Sequence, residues 1–215
     1  MKKYKNILFD LDGTITDSFE GVANSFIYGL KAFGVENVKK EELGFILGPP
    51  LRDAYMERFG FDEKTAVAAV EKYRERYRTK FLEENRLYDG IENLLSNLCH
   101  RGYKLFLATS KPEVFATQIL SHFGISKYFT GIGAASLDKS RDNKESVLEY
   151  VFSEFKIDKN DSVLVGDRCF DLKGAEFVGI DAVGVLYGYG DIDELSAYPS
   201  VYLAKTVEEL DKFFA

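Results

Sequence analysis

The sequence predicts an α/β protein built on a doubly wound parallel sheet, with an all-helical subdomain inserted after the first strand. Three observations predict it. Short apolar runs that read as buried strands recur at 5–10, 104–109, 162–166 and 182–186, with weaker ones at 128–133 and 201–203. After residue 88 these runs alternate with amphipathic helical segments, the pattern of a parallel sheet covered by helices on both faces. Between about 16 and 86 there is no convincing strand and several helical segments follow one another. The expected organisation is therefore an α/β core from 1–15 and 87–215, with a helical cap at 16–86.

Each element has its own signal. Asp17-Ser18 is placed to cap a helix whose apolar face is Phe19, Val22, Phe26, Leu30 and Phe33, ending at Gly34. A second helix is expected from about 40 to 47, and a third after Pro49-Pro50. The longest starts at Asp62 and repeats Ala66, Val70, Tyr73, Tyr77 and Phe81 at spacings of three and four. Beyond the insertion, Glu92 to Arg101 is amphipathic and stops at Gly102. Pro112 to Phe123 begins with proline in a first helical turn and stops at Gly124. Asn143 to Phe155 aligns Val147, Leu148, Val151, Phe152 and Phe155.

Composition narrows the functional class. A chain of 215 residues, 46% apolar and 29% charged, can bury a sizeable core. A net charge of −7 speaks against nucleic acid or an anionic membrane as partner, since both call for a basic excess. Cys99 and Cys169 are too few for a disulfide framework and lack zinc-type spacing, which fits a reducing cytoplasm. The basic start, Met-Lys-Lys-Tyr-Lys, precedes an apolar run far shorter than a signal-peptide core or a membrane span. His100 and His122 fall late in predicted helices and assemble no His-based metal site or Ser-His-Asp triad.

The chemistry is concentrated where strands end. The first strand runs into Asp10-Leu11-Asp12-Gly13-Thr14. Side chains two apart on a strand point the same way, so Asp10 and Asp12 are expected to converge at its tip, where open α/β sheets bind ligands. Two carboxylates held there must take up a cation, share a proton, or repel. The strand at 104–109 ends in Thr109-Ser110-Lys111-Pro112, and that at 162–166 in Gly166-Asp167-Arg168, with Asp171 at the start of the next helix. Lys144 falls on the first turn of another. Taken singly, each has an ordinary explanation: Thr109-Ser110 as a helix cap, Lys144 as a surface lysine, Gly-Asp-x-x-x-Asp as a turn. Together they fit phosphoryl transfer. Asp10 is a candidate nucleophile making an aspartyl-phosphate. Mg²⁺, which prefers oxygen ligands, would offset the repulsion between two anions, held by Asp10 and Asp167, with Asp171 binding through water or orienting the site. Asp12 suits a general acid and later base. Thr109 and Lys144 offer a hydroxyl and a positive charge to the phosphoryl oxygens.

These residues closely resemble the haloacid dehalogenase-like hydrolase superfamily over nearly the whole chain. Its DxDGT motif is matched by Asp10 to Thr14, with the extension at Asp17-Ser18. Its Ser/Thr motif is matched by Thr109, its lysine by Lys144, and its GDxxxD motif by Gly166, Asp167 and Asp171. The resemblance implies a Rossmann-like core, a helical cap and a Mg²⁺ that the backbone carbonyl of Asp12 also ligates. The Thr-x-Lys-Pro run and Gly184 to Gly190 are more similar to the phosphoglycolate-phosphatase-like branch. Asp12 and Asp167 speak against the metal-free dehalogenases. The reading is a Mg²⁺-dependent phosphatase of small phosphorylated metabolites, phosphoglycolate or a nucleoside 5′-monophosphate. The alternatives are a phosphomutase of the β-phosphoglucomutase type, or a binding protein on the same scaffold. The mutase's cap His and Trp are absent from 19–28, and the chain has no Trp at all. For substrate binding, Thr109, Ser110, Lys144 and Arg52 are the candidates. Arg52 either reaches a substrate anion or is a surface residue at a helix start. Arg168 either reaches substrate or forms a structural ion pair.

Overall fold

The run Ile7-Leu8-Phe9 has no solvent exposure and forms β1 (Asn6–Phe9), the strand around which the core is ordered. The structure is a computed structural model that describes residues 4–48, 50–136 and 140–215. After β1 the chain leaves through β2 (Thr16–Asp17) into α1 (Phe19–Lys31), α2 (Leu51–Phe59) and α3 (Glu63–Lys80), and returns through β3 (Arg86–Leu87). Strands and helices then alternate: α4 (Ile91–His100), β4 (Lys104–Pro112), α5 (Glu113–His122), β5 (Phe129–Ala135), α6 (Lys144–Phe155) and β6 (Ser162–Gly166). The chain closes with α7 (Cys169–Val178), β7 (Asp181–Val185), α8 (Ile192–Ser196), β8 (Tyr202–Ala204) and α9 (Val207–Phe213).

Two compact units result, one ending at Asp17 and resuming at Leu87, the other spanning Ser18–Arg86. The first is a six-stranded sheet in the order β5-β4-β1-β6-β7-β8, every pairing parallel. Register puts Leu8 level with Phe106 on one side and Leu164 on the other. That row packs with Val147, Leu148 and Val151 of α6 and Leu172 and Ala175 of α7 in one core cluster. Side chains alternate faces along a strand, so Ile7, Phe9, Leu105 and Leu107 serve the opposite face. There α4 and α5 contact β4, and α4 buries Leu94, Leu95 and Leu98. With both faces covered, the strands read as continuous apolar runs.

In the helical unit, α1 and α2 each pack against α3. Phe26 stacks on Tyr55 at 4.1 Å between ring centroids, and the Tyr55 hydroxyl donates to the Phe26 carbonyl at 3.0 Å. Asp62 caps α3 by accepting from the Thr65 amide at 2.7 Å. Arg76 makes a two-pronged pair with Glu84, at 2.7 and 2.6 Å, and Asn24 donates to the same carboxylate.

Several expectations need correction. Residues 40–47 form two 3₁₀ turns, Lys40–Glu42 and Gly44–Ile46, instead of an α-helix. Gly44 and the polar run before it leave too few spaced apolar contacts to extend a helix. Phe33 is 40% exposed because α1 ends at Lys31, two residues short of it. Ser18 occupies the N-cap of α1 without a side-chain capping bond. Pro112 ends β4 and is the N-cap of α5, with extended ψ, so the first helical residue is Glu113. Pro49 and the N-terminal Met1-Lys2-Lys3 lie outside the described residues. Among the described residues no helix is long and apolar enough to cross a membrane.

Leu164 lies at the centre of the buried row, so Leu164→Ala should lower unfolding free energy by about 2–5 kcal/mol. Equilibrium chemical denaturation measures this. A loss below ~1 kcal/mol would mean that the site collapses around the vacancy.

Candidate active site

Phe9 is level with Leu107 of β4 and Val165 of β6, so the three parallel strands run in step toward one edge of the sheet. Asp10 and Asp167, just past the ends of β1 and β6, and Thr109, inside β4, are therefore brought toward the same edge. The Asp10 amide donates to the Val165 carbonyl at 2.9 Å. The chain then turns sharply, with the amides of Thr14, Ile15 and Thr16 all directed at the Leu11 carbonyl. Gly13 takes φ +86°, and a Cβ there would overlap the Asp167 carboxylate. Glycine is required on both counts. The Thr14 hydroxyl donates to Asp167 Oδ1 at 3.2 Å.

Asp167 follows β6, and Asp171 lies in the first turn of α7, where its Oδ2 accepts the Arg168 amide at 3.1 Å. Carboxylate oxygens of Asp10, Asp167 and Asp171 lie within 4.8 Å of one another. Lys144 enters this group from the first position of α6. Asn143 and Ser146 form a reciprocal capping box there, with the Ser146 amide 2.9 Å from Asn143 Oδ1. The lysine is 5% exposed, and its ammonium donates to Asp10 Oδ1 and to the Ala108 carbonyl, each at 2.8 Å. It also stands 2.7 Å from Asp171 Oδ1 as an ion pair. Asp171 Oδ1 is buried with this ammonium as its counter-charge.

Burial pushes the Asp10 carboxyl up from 3.8 to about 6; Lys144 pulls it down, and the charges of Asp171 and Asp12 push it up. Asp167, fully buried, is driven well above the carboxylate range by desolvation, then by Asp171 and Asp10. Burial alone would lower Lys144, but Asp10 and Asp171 more than offset that and raise it. The cluster is acidic in excess: three carboxylates surround one ammonium. A hard divalent cation fits this donor set, which is all oxygen and carries more negative charge than Lys144 offsets.

The other predicted residues fall differently. Asp12 sits beside the cluster, and both its oxygens are held by Lys111 Nζ, at 2.6 and 2.9 Å. Thr109 is buried at the end of β4's regular pairing, its hydroxyl accepting the Lys111 amide at 3.2 Å. Ser110, between them, is exposed. Arg52 lies in the helical unit, half exposed, against Asp53 at 3.1 Å and Glu63 at 3.6 Å. Arg168 pairs with Glu194 at 2.8 Å, the structural ion pair the sequence left open. Sequence reasoning gave no role to Lys111, Tyr187 or Tyr189. The Tyr189 amide donates to Asp167 Oδ2 at 2.9 Å, and its hydroxyl to Asp17 Oδ1 at 3.1 Å. The Tyr187 hydroxyl donates to the Thr14 carbonyl at 3.0 Å. Their one signal is the glycine-spaced run after β7, where a Cβ at Gly188 would overlap the Gly13 carbonyl and Asp167.

Comparison with known proteins bears on this geometry. Residues 7–185 match the family model described as haloacid dehalogenase-like hydrolase. A 5′-nucleotidase of Pseudomonas aeruginosa is 42% identical over 94% of this chain and 92% of its own. A protein named tyrosine-protein kinase PtkA, from Mycobacterium tuberculosis, is 38% identical over 95% of this chain and 70% of its own. A phosphoglycolate phosphatase of Agrobacterium fabrum is 26% identical, covering 91% and 86%. The crystal structure of a putative phosphatase from Clostridium difficile superposes with a TM-score of 0.93, at 42% identity and full coverage of both chains.

Asp10 and Asp167 hold protons more tightly folded than unfolded, so without a cation stability should fall as pH rises from about 4 through the Asp10 range near 6, with Asp167 adding to the loss at higher pH. Asp167→Asn should stabilise the metal-free protein at neutral pH by roughly 0.5–2 kcal/mol. The amide oxygen can still accept from Tyr189, and the amide nitrogen can donate to Thr14. Mg²⁺ should raise the Tm of the unsubstituted chain, and the same substitution should abolish that rise. Thermal melts at pH 7 with and without Mg²⁺ measure both. An equal Mg²⁺ response in the two proteins would count against a cation at this cluster.

Proposed function

Since the chain belongs to the haloacid dehalogenase-like hydrolases, we propose that it is a Mg²⁺-dependent phosphatase of small phosphorylated metabolites that works through an aspartyl-phosphate. One observation carries this reading: Asp10 sits at the tip of the central strand, fixed by Lys144, with Asp167 and Asp171 beside it. Lys144 engages Oδ1 of Asp10 and leaves Oδ2 for phosphorus. As that bond forms, the ester P–O bond breaks, and Asp12 gives its proton to the departing oxygen. Water then attacks phosphorus and loses a proton to Asp12. The Asp10–phosphorus bond breaks, which restores the carboxylate and frees inorganic phosphate. Thr109 and Lys144 hold the phosphoryl oxygens, with Ser110 next to Thr109 in the chain. Asp10, Asp167 and Asp171, with the carbonyl of Asp12, would hold Mg²⁺, which supplies charge neutralisation when bound.

The 42% identity to a protein named 5′-nucleotidase favours a nucleoside 5′-monophosphate over phosphoglycolate as substrate. The helical unit is proposed to act as the cap that selects it, Arg52 being its candidate anion reader. Its ion pairs are half exposed and worth only ~0–1 kcal/mol, so a substrate anion can compete for it. A second reading, phosphoryl transfer from ATP to a tyrosine hydroxyl, is favoured by the 38% identity to a protein named as such a kinase.

Purified protein should release phosphate from an aryl phosphate and from nucleoside 5′-monophosphates with Mg²⁺, and lose this with a chelator. Asp10→Asn should lower kcat by roughly 10³-fold or more. Retained turnover in that variant would remove the covalent intermediate. Tyrosine-peptide labelling from ATP without phosphate release would decide for the kinase.

A further inference from the structure

Lys111 is 8% exposed, unusual for a lysine, and its ammonium reaches a carboxylate 99 residues away in sequence. The chain delivers it there by an irregularity. Pairing of β4 with β5 is regular at Thr109 and resumes only at Pro112, and the Lys111 amide turns back onto the Thr109 hydroxyl. This segment exposes Ser110 and sends Lys111 inward. The ammonium then contacts both oxygens of Asp12, at 2.6 and 2.9 Å, where a single contact would suffice for charge balance. A partly buried ion pair of this kind contributes little to stability compared with an apolar pair of the same volume. What it does provide is a fixed carboxylate, since two contacts leave Asp12 little freedom to rotate.

The two aspartates of the first motif are thus each held by their own lysine: Asp10 by Lys144 and Asp12 by Lys111. The geometry points to Lys111 as a positioning residue that holds the Asp12 carboxylate in place for proton transfer. This inference rests on the phosphatase reading and adds a residue to it. Lys111 acts through Asp12, on the two steps in which Asp12 carries a proton, and leaves cation and phosphoryl binding to the neighbouring cluster. Poor leaving groups, such as the 5′-oxygen of a nucleotide, depend on proton donation far more than a nitrophenolate does. The effect of losing Lys111 should follow that difference.

The test compares the unsubstituted chain with Lys111→Met, which keeps the length of the stem without its charge, and Lys111→Arg, which restores a two-pronged donor. Substrates are a nucleoside 5′-monophosphate and dinitrophenyl phosphate, with Mg²⁺ present. Lys111→Met should lower kcat on the nucleotide about 10²-fold with little change in KM. The initial burst of dinitrophenolate should be nearly unchanged, and Lys111→Arg should recover part of the loss. In an Asp12→Asn background, Lys111→Met should have no further effect on the burst or on the rate after it. A crystal structure of Lys111→Met should show the Asp12 side chain moved or in several rotamers, a readout independent of turnover. A raised KM with unchanged kcat, an equal further loss in the Asp12→Asn background, or an unmoved Asp12 each overturns the role of Lys111. Active unsubstituted protein with an unaffected Lys111→Met overturns that role alone. An inactive unsubstituted chain overturns the phosphatase reading itself, and this role with it.

Discussion

The ammonium of Lys144, lodged among Asp10, Asp171 and the Ala108 carbonyl, is the interaction on which the candidate site depends. Three carboxylates in one water-poor place repel strongly, and desolvation opposes the charge on each of them. A single buried cation offsets part of this. Its removal would leave uncompensated charge, the situation that makes broken buried pairs costly. The imbalance left over is an all-oxygen donor set of the kind a further cation would suit. The capping box at the start of α6 anchors the helix so that its first residue, Lys144, stays among these carboxylates.

A second layer of contacts keeps the acidic cluster in shape. Asp167 is held from three sides, by the Thr14 hydroxyl, by the Tyr189 amide and by the close approach of Gly13 and Gly188. Tyr187 ties the same turn through the Thr14 carbonyl. The turn after β1 and the loop after β7 are therefore one packed assembly, with the Asp167 carboxylate clamped between them. Neither loop has room for a Cβ at the contact, which makes their glycines steric requirements as much as turn residues.

Asp10 and Asp12 stand in contrasting surroundings despite being two residues apart. Asp10 is buried with Lys144 in a group of like charges, whereas Asp12 is partly open to solvent and held by one lysine of its own. One fixed, crowded carboxylate and one more accessible carboxylate suit the division between a nucleophile and a proton carrier.

The sheet was legible in the sequence because buried parallel strands are short apolar runs, and those at 5–10, 104–109 and 162–166 have no competing explanation. Asp10, Asp167 and Asp171 could be brought together on paper because each follows such a run or opens the next helix, and parallel strands end at one edge. Residues 40–47 misled because a few spaced apolar residues resemble a helix until the packing surface is known. Lys111 showed its family pattern but not its partner, since nothing local links it to Asp12 across 99 residues. Tyr189 and Glu194 were silent for the same reason: their contacts with Asp167 and Arg168 come from chain crossings, not from spacing. Local pattern and strand order determined where the acidic residues gather. Which lysine faces which carboxylate, and which loop closes over Asp167, was decided only by how close the folded backbones pack, a quantity no periodicity records.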